Sequence, residues 1–147
     1  MIEDAYIDQL SIFLENKEGR ILSTLDVIEN LGINIRALSL ADTSEFGILR
    51  LIVTDPYKVK ETLEEKGFIV KITKVFAVSI TDEPGGLNTI LRLLDENNIN
   101  LEYLYAFVEQ KTYAAIVILK LEDMPKAYDI LVEGNANIIN SDELYSL

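Results

Sequence analysis

Apolar positions alternate through residues 7–14, at Ile7, Leu10, Ile12 and Leu14, which predicts a strand. Asn16-Lys17-Glu18-Gly19 interrupts the alternation as a turn. Over residues 20–31 the period changes: Ile21, Leu25, Ile28 and Leu31 fall at helical spacing, one face toward a core, and Gly32 is the stop. Residues 33–41 and 46–53 are β-like runs joined through the polar turn Asp42-Thr43-Ser44-Glu45. Asp55-Pro56 then opens a helix, with Asp as cap and Pro in the first turn; Val59 and Leu63 face inward and Gly67 ends it. Residues 68–75 are strand again. The order is β-α-β-β-α-β, the split βαβ of ferredoxin-like domains.

The same order repeats. Residues 76–80 predict a strand, Asp82-Glu83-Pro84-Gly85-Gly86 a turn, and Leu87, Ile90, Leu91 and Leu94 a helix stopped by Asn97-Asn98. Residues 99–108 and 113–121 form a second hairpin, Met124-Pro125 opens a short helix that Gly134 ends, and 137–145 hold the last strand. Adding 66 to a residue number carries Ile12 to Val78, Gly19 to Gly85, Ile28 to Leu94 and Ile33-Asn34-Ile35 to Ile99-Asn100-Leu101. One offset across strand, turn, helix and strand means a duplicated domain. The expected class is therefore α+β: two tandem ferredoxin-like βαββαβ domains, 1–74 and 75–147, with antiparallel sheets and helices on one face. No Gly, Pro or Ser cluster separates them, so the last strand of copy one runs almost directly into the first of copy two.

Composition narrows the chemistry. The net charge is −12, which repels phosphate backbones and anionic lipid, so no nucleic-acid or membrane-surface role is expected. No run approaches a membrane span, and the acidic Met1-Ile2-Glu3-Asp4 lacks a signal-peptide pattern, which points to the cytoplasm. The chain has no Cys and no His, which removes thiolate, imidazole and Cys/His metal chemistry. No carboxylate pair stands out. No enzyme activity, cofactor or metal is expected.

The informative feature is the loop after the first strand of each copy, taken with the start of the next strand. Copy one has Asn16, Lys17, Glu18, Gly19 and Arg20, with Asn34 18 residues after Asn16; copy two has Asp82, Pro84, Gly85 and Gly86, with Asn100 18 residues after Asp82. Free N–H groups at a helix start favour a carboxylate, glycine lets a ligand approach the backbone, and an Asn or Asp oxygen accepts from an ammonium. A small zwitterion suits that mixture. The same residues also make ordinary capped turns. Recurrence of Asn/Asp, Gly and Asn at one spacing in both copies is what favours the ligand reading.

At these residues the chain resembles tandem ACT domain proteins, stand-alone regulatory modules that bind amino acids. The likeness covers 7–75 and 76–145, through Leu10 to Arg20 with Gly32-Ile33-Asn34-Ile35, and Val78 to Leu87 with Asn98-Ile99-Asn100-Leu101. It implies an amino-acid effector held at ACT–ACT interfaces. In the serine-binding domain of phosphoglycerate dehydrogenase, one Asn precedes the loop Gly by three residues and another opens the second strand. Asn16 and Asn34 match those positions in copy one, Asp82 and Asn100 in copy two. A His of that domain corresponds to Leu14 and Ile80 here. Asp82 should attract an ammonium and repel a carboxylate, whereas Lys17 and Arg20 flank the copy-one loop and favour a carboxylate.

The second hairpin adds an aromatic face. Leu101, Tyr103, Tyr105 and Phe107 are expected on one side of their strand and Leu104, Ala106 and Val108 on the other, a pattern that suits burial on both sides. It reads either as an aromatic core or as an interface, with Tyr103, Tyr105 and Phe107 covered by a second chain in a homodimer. The alternative to a sensor is an interaction protein that dimerises and regulates a partner enzyme without binding a ligand.

Overall fold

The computed structural model describes residues 1–15, 17–42, 46–81, 83–109 and 114–147, Asp42 by its backbone alone. Asn16, the turn at 43–45, Asp82 and Tyr113 lie outside the described residues. The chain divides into two compact units, Asp8–Thr73 and Met1–Ile7 with Lys74–Leu147.

A short helix α1 (Ile2–Ala5) precedes the first unit in sequence and packs with the second. The first unit then runs β1 (Ile7–Glu15), α2 (Arg20–Asn30), β2 (Ile35–Asp42), β3 (Phe46–Val53), α3 (Pro56–Glu65) and the opening part of β4 (Ile69–Ile80). Its strands lie in the order β2-β3-β1-β4, the expected ferredoxin-like arrangement. The pairings β1·β3 and β2·β3 are antiparallel. Ser11 Oγ lies 3.2 Å from Thr73 Oγ1, bridging β1 and β4. Leu10, Ile12, Leu14, Leu49 and Leu51 face Val27, Ile28, Val59 and Leu63 of the helices. Full burial of such a side chain stabilises by about 1.5–3 kcal/mol. On α2 the predicted Leu25, Ile28 and Leu31 pack against the core, and Ile21 does not. Thr24, Val27 and Ile28 are buried, whereas Ile21 is 41% exposed. The Thr24 hydroxyl donates to the Arg20 carbonyl at 3.0 Å, which lets a polar residue sit inward.

The second unit holds the rest of β4, then α4 (Gly86–Glu96), β5 (Leu101–Val108), β6 (Ala115–Leu121), α5 (Met124–Glu133), β7 (Asn137–Ile139) and α6 (Ser141–Tyr145). β6 pairs with β5 and β4, and β4 with β7, all antiparallel. Phe76, Val78, Val117 and Leu119 meet Ile90, Leu94, Ala127 and Leu131 of α4 and α5. Ala5 joins this core, and the Tyr6 ring stacks on Phe76. The absence of a linker is seen directly: β4 is one strand of 12 residues that passes from one unit into the other.

Three further sequence expectations change. The last strand ends at Ile139, because Asn140 caps a new helix: its side chain accepts from the Glu143 amide at 2.9 Å, and Glu143 accepts back from the Asn140 amide at 3.3 Å. Leu101 does not share a face with Tyr103. A register shift between them pairs Leu101 with Leu121 and Tyr103 with Lys120, which turns Leu101 onto the helix side. A matching shift lies between Ile35 and Ala37 of the first unit, 66 residues earlier. Finally, β5 is not buried on both sides: among the described strands it pairs only with β6, and Ala106 and Val108 are exposed. Tyr103, Tyr105 and Phe107 are half-buried on the side away from α4 and α5.

Candidate functional site

Both loops that follow the first strand are built alike. In the first unit the Lys17 amide donates to the Glu15 carbonyl at 2.7 Å, that of Arg20 to Lys17 at 3.4 Å and that of Ser23 to Gly19 at 2.9 Å. In the second, Glu83 donates to Thr81 at 2.9 Å, Gly86 to Glu83 at 3.1 Å and Thr89 to Gly85 at 3.1 Å. The Ser23 and Thr89 hydroxyls donate to the same two glycine carbonyls, at 2.8 and 3.0 Å. Helices α2 and α4 start from Gly19 and Gly85, with φ of +80° and +89°. Those dihedrals favour glycine, and a Cβ at either position would meet nothing within 4 Å. The space beside both glycines is open.

Among the described residues these helix starts carry no capping side chain. Among the described residues nothing accepts from the amides of Ile21 and Leu22, or from those of Leu87 and Asn88. The helix after the hairpin in each unit, α3 or α5, is closed. Asp55 accepts from the Lys58 amide at 3.3 Å above α3, and Asp123 from the Lys126 amide at 3.1 Å above α5, each with a proline in the first turn. A helix start without a cap keeps its partial positive charge for an anion.

Copy one does not present its two cations freely. Lys17 Nζ lies 2.9 Å from a Glu15 carboxylate oxygen, both side chains exposed. That hydrogen bond and the ammonium charge hold the Glu15 carboxyl below its ordinary range. The Arg20 guanidinium lies over the Phe68 ring, 4.5 Å from its centre, with Nε buried and unpartnered. Glu18 is exposed. In copy two Pro84 and Gly85 are exposed and Gly86 is half-buried against the strand end; a Cβ on Gly86 would stand 2.6 Å from the Thr81 carbonyl oxygen.

Asn34 and Asn100 are not brought to these loops within their own copy. β3 is the measure: Glu15 pairs with Phe46 at one end and Ile35 with Val53 at the other. Seven steps of about 3.4 Å place those ends roughly 24 Å apart. In the second unit Ile80 pairs with Ala115 and Leu101 with Leu121, roughly 20 Å apart by the same measure. The Asn34 and Asn100 carbonyls accept from the amides of Thr54 and Glu122, at 3.3 and 3.0 Å. Asn100 also lines a groove along α4 together with Asn88, Arg92 and Asp95. These three were not singled out from the sequence, although Asn88, Arg92 and Asp95 stand at i, i+4 and i+7 of one helix face. Among the described residues no acidic group could hold a metal ion, and no helix is long and apolar enough to cross a membrane.

A family model described as an ACT domain pair matches residues 5–147. No curated protein matches the chain. Among solved structures, a protein from Bacteroides thetaiotaomicron is 36% identical, with a TM-score of 0.91 over 97% of this chain and 98% of that one. The ligand-free regulatory subunit of aspartate kinase from Thermus thermophilus is 10% identical, with a TM-score of 0.61 over 91% and 95%. The corresponding subunit from Thermus flavus is 14% identical, with a TM-score of 0.56 over 87% and 93%. With these two subunits the likeness is one of fold.

Proposed function

The chain belongs to the ACT domain pair family, and on that premise we propose that it is a regulatory, non-enzymatic module that senses a small amino acid or a related metabolite. One observation carries the reading: in each unit the helix after the first strand starts from a left-handed glycine beside open space, uncapped among the described residues, while the helix after the hairpin is capped by its own aspartate. An amino-acid carboxylate would take the free amides. The ammonium would take a side-chain oxygen, and Asn16, Asp82, Asn34 and Asn100 are the candidates. Because each strand-start Asn stands some 20 Å from the loop of its own copy, a loop and an Asn can meet only when different ACT domains contribute them. Effector binding would then be read out through association, in a homodimer or with a partner enzyme.

The test is a thermal-shift screen of the full chain against the twenty free amino acids. A ligand at a hundredfold excess over its Kd should raise Tm by roughly 5–10 °C. Gly19→Ala or Gly85→Ala should reduce that shift. Twenty flat curves would overturn the reading.

A second reading has its own observation. Leu38 and Leu40 on the edge strand β2 are 56% and 47% exposed, which suits a protein that only associates. Loss of self-association in Leu38→Asp with no amino-acid response in the native chain would favour it.

A further inference from the structure

We infer that the groove between α4 and the start of β5 is a further amino-acid site, separate from the uncapped helix starts, with Arg92 anchoring the carboxylate. This deepens the amino-acid reading and rests on it. The groove has a volume of about 600 Å³, and its lining includes Asn88, Leu91, Arg92, Asp95, Asn100 and Leu101. A guanidinium, a carboxylate and two amides thus border one space, with apolar side chains beside them.

The charges there are not spent on each other. Among the described residues neither Arg92 nor Asp95 enters an ion pair or side-chain hydrogen bond, whereas Lys120 of the same unit is paired to Glu102 at 3.0 Å. The surroundings make a lone cation count. Met1–Ile7 with Lys74–Leu147 carries 14 Asp and Glu against 5 Lys and Arg, net −9. A carboxylate approaching that unit is repelled except where a local cation reverses the field. Arg also offers a planar fork that matches a carboxylate in two-point contact.

The duplicate sharpens the assignment. Subtracting 66 turns Asn88, Arg92, Asp95 and Asn100 into Leu22, Asp26, Glu29 and Asn34. The first copy keeps the asparagine and the acid but has an aspartate where the second has its cation. On this helix face only copy two therefore offers both signs of charge that an α-amino acid needs. Arg92 takes the carboxylate, Asp95 and the Asn100 side-chain oxygen take the ammonium, and the ligand side chain lies along Leu91 and Leu101.

Calorimetric titration of the full chain tests this, with each of the twenty free amino acids and with the primary amide of every one that binds. The amide should bind the native chain about tenfold more weakly than the acid, the effect of losing one charged hydrogen-bonded contact. Arg92→Gln should weaken the acid about tenfold and leave the amide unchanged, and Arg92→Lys should recover part of the loss. Arg92 is exposed, so the unliganded Tm should stay constant and report an intact fold. Asp26→Asn should bind as the native chain does. If Arg92→Gln binds the acid normally while Gly19→Ala or Gly85→Ala weakens it, the groove assignment fails and the amino-acid reading stands. If no amino acid binds the native chain, both fail.

Discussion

The Tyr6 and Phe76 rings lie parallel, with centroids 5.6 Å apart and planes within 2°. Phe76 is fully buried and its other neighbour is Tyr128, with centroids 6.1 Å apart. Residues that precede the first copy in sequence thereby complete the core of the second. Tyr6→Ala should cost about 2–4 kcal/mol in denaturant unfolding. Hydrogen exchange should show lost protection in 74–147, with 8–73 little changed. Equal loss in both segments would contradict the packing described.

The loop glycines should differ in their response to a methyl group. Gly19→Ala and Gly85→Ala meet open space, so they pay only the left-handed backbone, about 1–2 kcal/mol each. Gly86 is constrained differently. A Cβ there meets backbone rather than a movable side chain, and Gly86→Ala should cost about 1–3 kcal/mol through displacement of the strand end at Thr81. Thermal melts of the three variants check the order, and melts without ligand separate these costs from any effect on binding.

Helices closed by aspartate should depend on it. Asp55→Ala and Asp123→Ala each remove an acceptor from the first turn and should cost about 1 kcal/mol. Asn140→Ala should cost a similar amount and fray α6. Unfolding curves measure the first two; amide exchange over 141–145 measures the third.

The Glu15 carboxyl, lowered by Lys17, gives a pH signature. A carboxyl depressed in the folded state contributes stability at pH values above its unfolded pKa, and that contribution fades as pH falls through the lowered folded value. The pair is exposed, so the readout is titration rather than stability. A side-chain NMR titration should find Glu15 below the ordinary glutamate range, and Lys17→Gln should bring it back up.

Much of the fold was legible because period and punctuation agreed. Asp55-Pro56 marked α3, Gly19 and Gly85 marked turns, and the 66-residue offset carried each assignment into the second copy. Three features escaped, each for a local reason. The register shifts before Ala37 and Tyr103 flip a face without changing the apolar pattern, so alternation alone misassigned Leu101. Thr24 replaces an apolar residue on the buried side of α2 by bonding its own helix, so the stripe's first position fell on Ile21 instead. The α6 signal was present as Asn140 and Glu143, but the apolar pairs Ile138-Ile139 and Leu144-Tyr145 on either side of it also suit a strand. For the candidate site, sequence spacing located the loops and the strand-start asparagines. Their separation by the length of β3 follows only from the strand pairing. The Arg92 face was hidden because it breaks the repeat rather than following it.

The account stands on binding at the uncapped helix starts and the groove beside α4. Its most direct test is an amide NMR titration of the full chain with the amino acid that most raises Tm. The account predicts saturable shifts at Ile21 and Leu22 or at Leu87 and Asn88, with Arg92 and Asn100 among the residues that move. Saturable shifts confined to other parts of the chain, or none with any of the twenty amino acids, would contradict it.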